Sequence, residues 1–136
     1  MRRAGINVDF VSLDFAAWLT RRNNRDAIER GGWNATATFL PGTDLWDPAA
    51  HLALRGNGAR AWAGWPESPR LESLRDAWFV APDEAARKAI CRDMQMQLWQ
   101  DVPYSPGGRW RHPTAYRKRV RGVPRRTRLF HNVRVG

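Results

Sequence analysis

The sequence contains little of what builds disulfides, metal centres or membrane spans. Cys91 is the one cysteine among 136 residues, which excludes an intramolecular disulfide and a multi-cysteine metal site. No apolar run approaches the roughly 18 residues that a transmembrane helix needs. Residues 1–9 contain no apolar stretch of about 7–15 residues like that of a secretory signal, so we predict no export signal in this chain.

Signatures of catalysis are also missing. The three histidines, His51, His112 and His131, share no spacing typical of metal ligands. The chain has neither a G-x-S-x-G nucleophile elbow nor a P-loop, and without such a pattern the presence of Ser, His and Asp says nothing about catalysis. We therefore predict that the protein is not an enzyme and uses no catalytic residue, metal or cofactor.

Lysine is scarce, and arginine supplies nearly all of the positive charge. Lys+Arg total 23 against 13 Asp+Glu, which gives a formal net charge of +10. The basicity is concentrated in a C-terminal segment, 111–136. Its neighbourhood interleaves arginines with Trp110, Tyr116 and Phe130, residue types that bind phosphates and stack on bases. A small basic nucleic-acid-binding module is therefore the alternative function, although no helix-turn-helix, zinc-finger or RNP pattern predicts specific recognition.

The most informative stretch is an alternating segment, residues 33–40, that leads into an acidic loop. Its period of two predicts a half-buried strand. Pro41-Gly42 ends that strand, so Asp44 and Asp47 should project from its carboxyl end, where open α/β sheets hold ligands. The two acids could form an acid and base pair, but their spacing equally fits an Asx-turn before Pro48.

Residues 6–13 also alternate and predict a first strand. Asp14 should cap a following helix that ends in the polar run 21–24, which gives a β–α–β unit with the segment 33–40. Ser68-Pro69 and Asp83 predict the starts of two consecutive helices. Their expected core faces comprise two sets of apolar residues: Leu71, Leu74, Trp78 and Phe79 on the first helix, and Ala86, Ala89, Ile90, Met94 and Leu98 on the second.

Two further segments complete the prediction of a single α/β domain over residues 1–136. The tryptophans of Trp62-Ala-Gly-Trp65-Pro66 suggest a loop that covers part of the core, with an aromatic ligand platform as the alternative. Residues 129–135 form a candidate C-terminal strand. Cys91 is expected to be a buried, inert thiol on a helix.

Several separated motifs also occur in an order that resembles the C-terminal part of bacterial extracytoplasmic solute-binding proteins of family 5, the dipeptide- and oligopeptide-binding components of ABC importers. The similarity covers essentially the whole chain. The motifs are residues 4–14, Gly32-Trp-Asn34, Gly42-Thr-Asp44 with Asp47-Pro48, residues 71–79, Asp101-Val-Pro-Tyr104, residues 113–118 and Gly122-Val123.

The resemblance implies part of a periplasmic-binding-protein-like (type II) lobe from a protein whose two α/β lobes close on a peptide or related small solute. It implies a permease partner, a periplasmic location for the full-length family, a monomer, and no specific nucleic-acid partner. Asp44 would pair with an amino group of the ligand, with Trp46, Trp62 and Trp65 as weaker candidates for lining the cleft. Leu40-Pro41 stands where peptide binders usually place a Trp, which widens the ligand class beyond peptides.

Met1 falls where such a protein would be in mid-chain, so we expect the chain to represent roughly the last quarter of one, as a truncated gene, a misassigned start or a fragment. A nonfunctional remnant, unfolded or aggregating because it exposes surfaces that the remainder would cover, is a further alternative. Taken alone, the chain is expected to bind no ligand tightly, because a cleft needs two lobes to exclude water.

Overall fold

The structure, a computed structural model, describes residues 1–111, 113, 115–124 and 131–136. Its contacts divide the chain into two compact units, Met1–Ser105 and Pro106–Gly136. Three sequence predictions fall on positions outside the described residues, namely His112, the basic residues 125–128 and Phe130. The assignment of 111–136 as a separate basic segment stays a prediction.

Three α-helices form in the first unit: α1 (Phe15–Arg22), α2 (Pro69–Phe79) and α3 (Glu84–Asp101). Each begins at its predicted cap, because the cap side chain accepts hydrogen bonds from N–H groups that the first turn leaves without partners. Asp14 accepts from the backbone N–H groups of Ala16 and Ala17 at 2.9 and 3.0 Å. Ser68 and Asp83 cap α2 and α3 in the same way. Within the described residues, no helix combines the length and apolarity needed to cross a bilayer.

The core lies between α2, α3 and a short 3-10 turn at Leu52–Leu54. It consists of the buried Leu54, Leu71, Leu74 and Met94, with Ile90 and Leu98 packed against them. The predicted core faces are confirmed at these helical positions, whereas Ala89, also predicted to face the core, is exposed. Cys91 is on α3 as predicted, but it is half-buried rather than fully buried.

Phe79 is a wrong core assignment, since it is 50% exposed. At about 100° per residue, Phe79 points roughly 140° away from Leu74 around the helix, whereas Trp78 stays on the apolar side. Its ring instead stacks edge-on against Trp78, with the centroids 5.4 Å apart.

The predicted β–α–β core is also wrong, because neither residues 6–13 nor residues 33–40 form a strand. Both segments run without a hydrogen-bonded ladder, and most of their apolar side chains are exposed, as at Phe10 (78%) and Phe39 (64%). A strand satisfies its backbone N–H and C=O groups only through a neighbouring strand, and residues 1–111 supply none here. The protein is a mixed helix and small-sheet fold, compatible with α/β at that coarser level.

The second unit contains the small sheet. Strands β1 (Val120–Arg121) and β2 (Arg134–Val135) pair antiparallel, with Val120 opposite Val135. The predicted C-terminal strand is thus confirmed at its last residues, while positions 129 and 130 lie outside the described residues. Gly122 follows β1 with φ 73°, and a Cβ there would overlap the carbonyl oxygen of Asn132, so only glycine fits this turn.

Candidate functional site

The acidic loop, residues 41–48, presents one carboxylate to solvent. Its Gly42–Leu45 part forms a 3-10 turn, in which the N–H of Asp44 donates to the carbonyl of Pro41 at 3.0 Å. The Asp44 side chain is exposed, and its Oδ1 accepts from the Thr43 hydroxyl at 3.3 Å. Asp44 therefore has acceptor capacity left for an external cation.

Asp47 has a different role in the same loop. Its Oδ1 accepts from the backbone N–H groups of Ala49 and Ala50, at 2.8 and 2.9 Å. Its carbonyl accepts from the N–H of His51 at 3.1 Å. The Asx-turn interpretation is confirmed. Because the Asp47 carboxylate is committed to the backbone, it serves the shape of the loop.

Arg75, which sequence reasoning missed, holds the end of this loop from α2. Its side chain is buried, and Nε donates to the carbonyl of Pro48 at 2.9 Å, while Nη1 lies 3.7 Å from the Glu72 carboxylate. Burial is the main cause that lowers the pKa of Arg75, and the positive charge of Arg55 lowers it further, against the opposite effects of Glu72 and Asp76. A signal existed, since Arg75 follows Leu71 by four residues and so lies on the core face of α2.

Glu72 ties a second turn to α2. Its Oε1 accepts from the N–H of Gly56 at 2.7 Å, and the N–H of Ser68 donates to the carbonyl of Gly56 at 2.8 Å. A Cβ on Gly56 would come within 2.9 Å of the Ser68 side chain, so the turn approaches the helix more closely than other residues allow. Through Glu72 and Arg75, α2 positions both the acidic loop and the turn that follows it.

A buried histidine lies directly after the loop. His51 is 8% exposed, and its Nε2 lies 3.3 Å from the hydroxyl of Tyr104. Its Nδ1 is buried and has no hydrogen-bond partner in the part of the chain that the structure describes. Desolvation lowers the pKa of His51, and desolvation likewise raises the pKa of Tyr104. The neutral imidazole is therefore the form that this position favours.

The structure separates the three candidate tryptophans. Trp46 is 82% exposed, next to Asp44 in the acidic loop. Trp62 and Trp65 share one turn, in which the N–H of Trp65 donates to the carbonyl of Trp62 at 2.8 Å. Within residues 1–111, no hydrogen bond or ring contact joins any of the three to Asp44.

Trp62 and Trp65 already have partners from α1 and the residues after it. The guanidinium of Arg22 lies 5.2 Å from the Trp62 ring centroid, and that of Arg25 lies 4.7 Å from the Trp65 centroid. The ring centroids of Trp33 and Trp65 are 6.0 Å apart. Cation–π contacts of this kind bind the turn to its neighbours, as expected of a loop that folds back onto the structure.

No set of three His, Cys, Asp or Glu side chains in the described part of the chain could hold a metal ion. The site therefore consists of an exposed carboxylate on a loop, fixed from behind by Asp47 and Arg75. Such an arrangement can bind a cation without any chemical step.

No family model matches the chain. The chain is, however, 32% identical over 123 residues to the probable peptide ABC transporter periplasmic-binding protein y4tO of Sinorhizobium fredii. The match covers 90% of this chain and 23% of the relative, so the chain spans about a quarter of the relative's length.

The class of protein that this match indicates is the periplasmic-binding proteins, to part of one of which the chain is similar. Within that class the similarity is to a binding protein of a peptide ABC transporter. The resemblance inferred from the separated motifs is confirmed at this level.

Proposed function

We propose that this chain is part of the substrate-binding component of an ABC importer of family 5, corresponding to the C-terminal segment of a type II lobe. Its ligand is a peptide or a related small solute, its partner in the complete system is the permease, and its place of action is the periplasm. It acts as a monomer and catalyses no reaction. The observation that carries the proposal is the 32% identity over 90% of the chain.

Asp44 is the proposed anchor for an amino group of the ligand. A carboxylate at the mouth of a closing cleft gains most from a cationic partner when water is excluded around the pair. The Thr43 hydroxyl is the neighbour that orients it, at 3.3 Å. Because Asp47 and Arg75 fix the end of the loop, the anchor is held before the ligand arrives, which reduces the entropy cost of binding.

The tryptophans take unequal parts in this proposal. Trp46 is the exposed aromatic ring nearest in sequence to the anchor and can cover an apolar ligand side chain. Trp62 and Trp65 would line the cleft only with those ring faces that Arg22 and Arg25 leave uncovered. We therefore expect substitution of Trp46 to affect affinity more than substitution of either of the other two.

A chimera tests the role of Asp44 in a complete binding protein. The matched residues of the Sinorhizobium relative are replaced by this chain, and dipeptide binding is measured by calorimetry. We expect a dipeptide with a free amino terminus to bind, and Asp44→Asn to weaken it about tenfold or more, because a charge-assisted contact is lost. An N-acetylated dipeptide should bind equally weakly to the chimera that contains Asp44 and to its Asp44→Asn variant.

Asp93→Asn is the matched control, since Asp93 is an exposed aspartate on α3 and the substitution makes the same charge change. It should leave the affinity of the chimera unchanged. Equal affinity of Asp44→Asn and Asp93→Asn would contradict the anchor. The isolated chain should bind no dipeptide tightly through Asp44, and a micromolar affinity that Asp44→Ala abolishes would show that one segment suffices.

Nucleic-acid binding stays a prediction from the charge of +10. A filter-binding titration across salt concentration separates it from the transport proposal. Affinity that falls steeply with salt would support a basic nucleic-acid module, because phosphate contacts release counterions. We expect no retention of DNA or RNA at physiological salt.

A further inference from the structure

A second candidate site is an open concavity beside the Leu52–Leu54 turn, and no residue of the acidic loop belongs to its described lining. Its volume is about 340 Å³, within the range of small-molecule pockets. Among the described residues, two arginines and three apolar side chains line it: Leu52, Arg55, Arg60, Ala61 and Trp62. This described lining contains no acidic residue.

The positive charge around the concavity is not neutralised by ion pairs. The ion pairs of the described residues join Arg30 to Asp26, Arg75 to Glu72, and Lys88 to Glu84. None of them involves Arg55 or Arg60. A third guanidinium, that of Arg22, covers the Trp62 ring at 5.2 Å and adds to the same field.

Arg55, in the lining, and Arg22, whose guanidinium lies over the Trp62 ring, each carry a hydrogen-bond donor without an acceptor. The Nε atoms of both side chains are buried, and neither has a hydrogen-bond partner among the described residues. A buried donor without an acceptor costs free energy, and native structures satisfy nearly all such groups with protein, water or an ion. The two Nε atoms are too buried to contact a ligand in the concavity, so an anion there would bind to the terminal N–H groups of Arg55 and Arg60, the two arginines of the lining.

The shape and the walls of the concavity narrow the class of anion. Guanidinium groups match a planar carboxylate through two parallel hydrogen bonds. Leu52, Ala61 and the indole of Trp62 offer apolar surface to the body of the same molecule. A fully hydrated inorganic anion would leave that surface unused.

We propose that the concavity binds a small organic carboxylate, with Arg55 and Arg60 contacting the carboxylate group and Trp62 contacting its apolar or aromatic body. Arg22 supports the site by holding the Trp62 ring. The site does not depend on Asp44, because a carboxylate anchor selects a cation and this concavity selects an anion. It is a separate ligand-binding function in the same unit of the chain.

Benzoate is the probe for the test, titrated by calorimetry into the intact 136-residue chain. We expect saturable binding, with benzamide, its uncharged isostere, binding at least about tenfold more weakly, because charged hydrogen bonds are lost. The double variant Arg55→Gln/Arg60→Gln should lose at least about tenfold in benzoate affinity by the same argument.

The matched control is Arg70→Gln/Arg92→Gln, which removes the same charge from two exposed arginines outside the concavity. It should keep the wild-type affinity. Equal losses in both double variants would overturn the proposal, since they would show a general charge effect. Failure of benzoate to bind the wild-type chain, or equal affinity for sulfate, would overturn it as well.

Folding of the variants is checked by circular dichroism. Should Arg55→Gln/Arg60→Gln unfold, the exposed Arg60→Gln alone decides the matter, with Arg70→Gln as its control. A selective loss of benzoate affinity in Arg60→Gln supports the site, and unchanged affinity refutes it.

Discussion

Two regions of the first unit differ in how completely their sequence patterns become structure. Residues 48–101 bury an apolar cluster and a charged side chain between α2, α3 and the preceding turns. The extended segments, 6–13 and 33–40, carry an equally regular alternation of apolar residues, yet they form no ladder and leave Phe10 and Phe39 exposed.

The difference shows which sequence patterns need a hydrogen-bonding partner from another segment of the chain. An α-helix satisfies its backbone hydrogen bonds within itself, and a capped amphipathic helix needs only one apolar surface to pack against. A strand depends on another strand for every backbone hydrogen bond of its ladder. The alternation in the extended segments thus specifies which side chains share a face, but it does not supply the neighbouring strand that a ladder requires.

The largest expected effect is on stability, from truncation in the core. Leu71 is 1% exposed, so Leu71→Ala should lower the free energy of unfolding by about 3 kcal/mol, through lost burial and the cavity left behind. Phe10 in the extended segment is 78% exposed, and Phe10→Ala should change it by less than about 0.5 kcal/mol. Urea denaturation measures both. Similar losses would mean that the extended segment packs as the core does.

The next effect concerns the buried arginine that holds the acidic loop. Arg75→Ala should lower the free energy of unfolding by about 2 kcal/mol, because the Pro48 carbonyl and Glu72 both lose a charged partner. The exposed Arg92→Ala on α3 is the control, with almost no expected change in the same urea denaturation. If Arg75→Ala were as stable as Arg92→Ala, the loop would not depend on α2.

A smaller effect is expected at helix caps, which occur in both regions. Asp83→Ala should lower the free energy of unfolding by about 1 kcal/mol, since the Asp83 side chain caps α3 by accepting from the N–H of Ala86 at 2.8 Å. Asp14→Ala, at the cap that joins the first extended segment to α1, should lower helicity measured by circular dichroism. Asp93→Ala, in the interior of α3, serves as the control for loss of an acidic side chain. Equal helicity in all three variants would refute the role of the caps.

The last prediction concerns pH. Burial lowers the pKa of His51 in the folded chain below its ordinary value of 6.5. At a pH between the folded-state pKa and 6.5, the unfolded chain therefore binds more protons than the folded chain. The contribution of the neutral His51 side chain to the free energy of unfolding is complete above pH 6.5. It is lost as the pH falls through the lowered pKa of the folded state. Urea denaturation from pH 7.5 to 5 should show this decline.

His51→Gln should remove that part of the pH dependence. The exposed His131→Gln should retain it. An unchanged slope in His51→Gln would show that the decline comes from other groups.

Features encoded within one turn of chain were predictable from sequence, and features that join distant residues were not. Asp14, Ser68 and Asp83 were recognised as caps because each bonds to backbone no more than three residues away. For Asp47 the local pattern left an acid and base pair and an Asx-turn open, and its hydrogen bonds to Ala49 and Ala50 decide for the turn.

The contacts behind the acidic loop were missed because their partners are far apart in sequence. Arg75 reaches Pro48 across 27 residues, and His51 meets Tyr104 across 53. Arg75 lies on the core face of α2 by helical spacing alone, but nothing local identifies the carbonyl that it binds. The role of Asp44 as a ligand anchor stays a proposal.

By itself, the sequence determined the helices, their caps, the core positions Leu71, Leu74 and Met94, and the similarity to a peptide-transporter binding protein, because these depend on local bonding, helical period and ordered motifs. Tertiary structure alone decided that the alternating segments form no strand, that Asp47 faces its own backbone while Asp44 faces solvent, and that arginines gather around Trp62. These outcomes depend on which distant groups meet, and a backbone hydrogen bond or a charge is satisfied only by the partner that the fold brings to it.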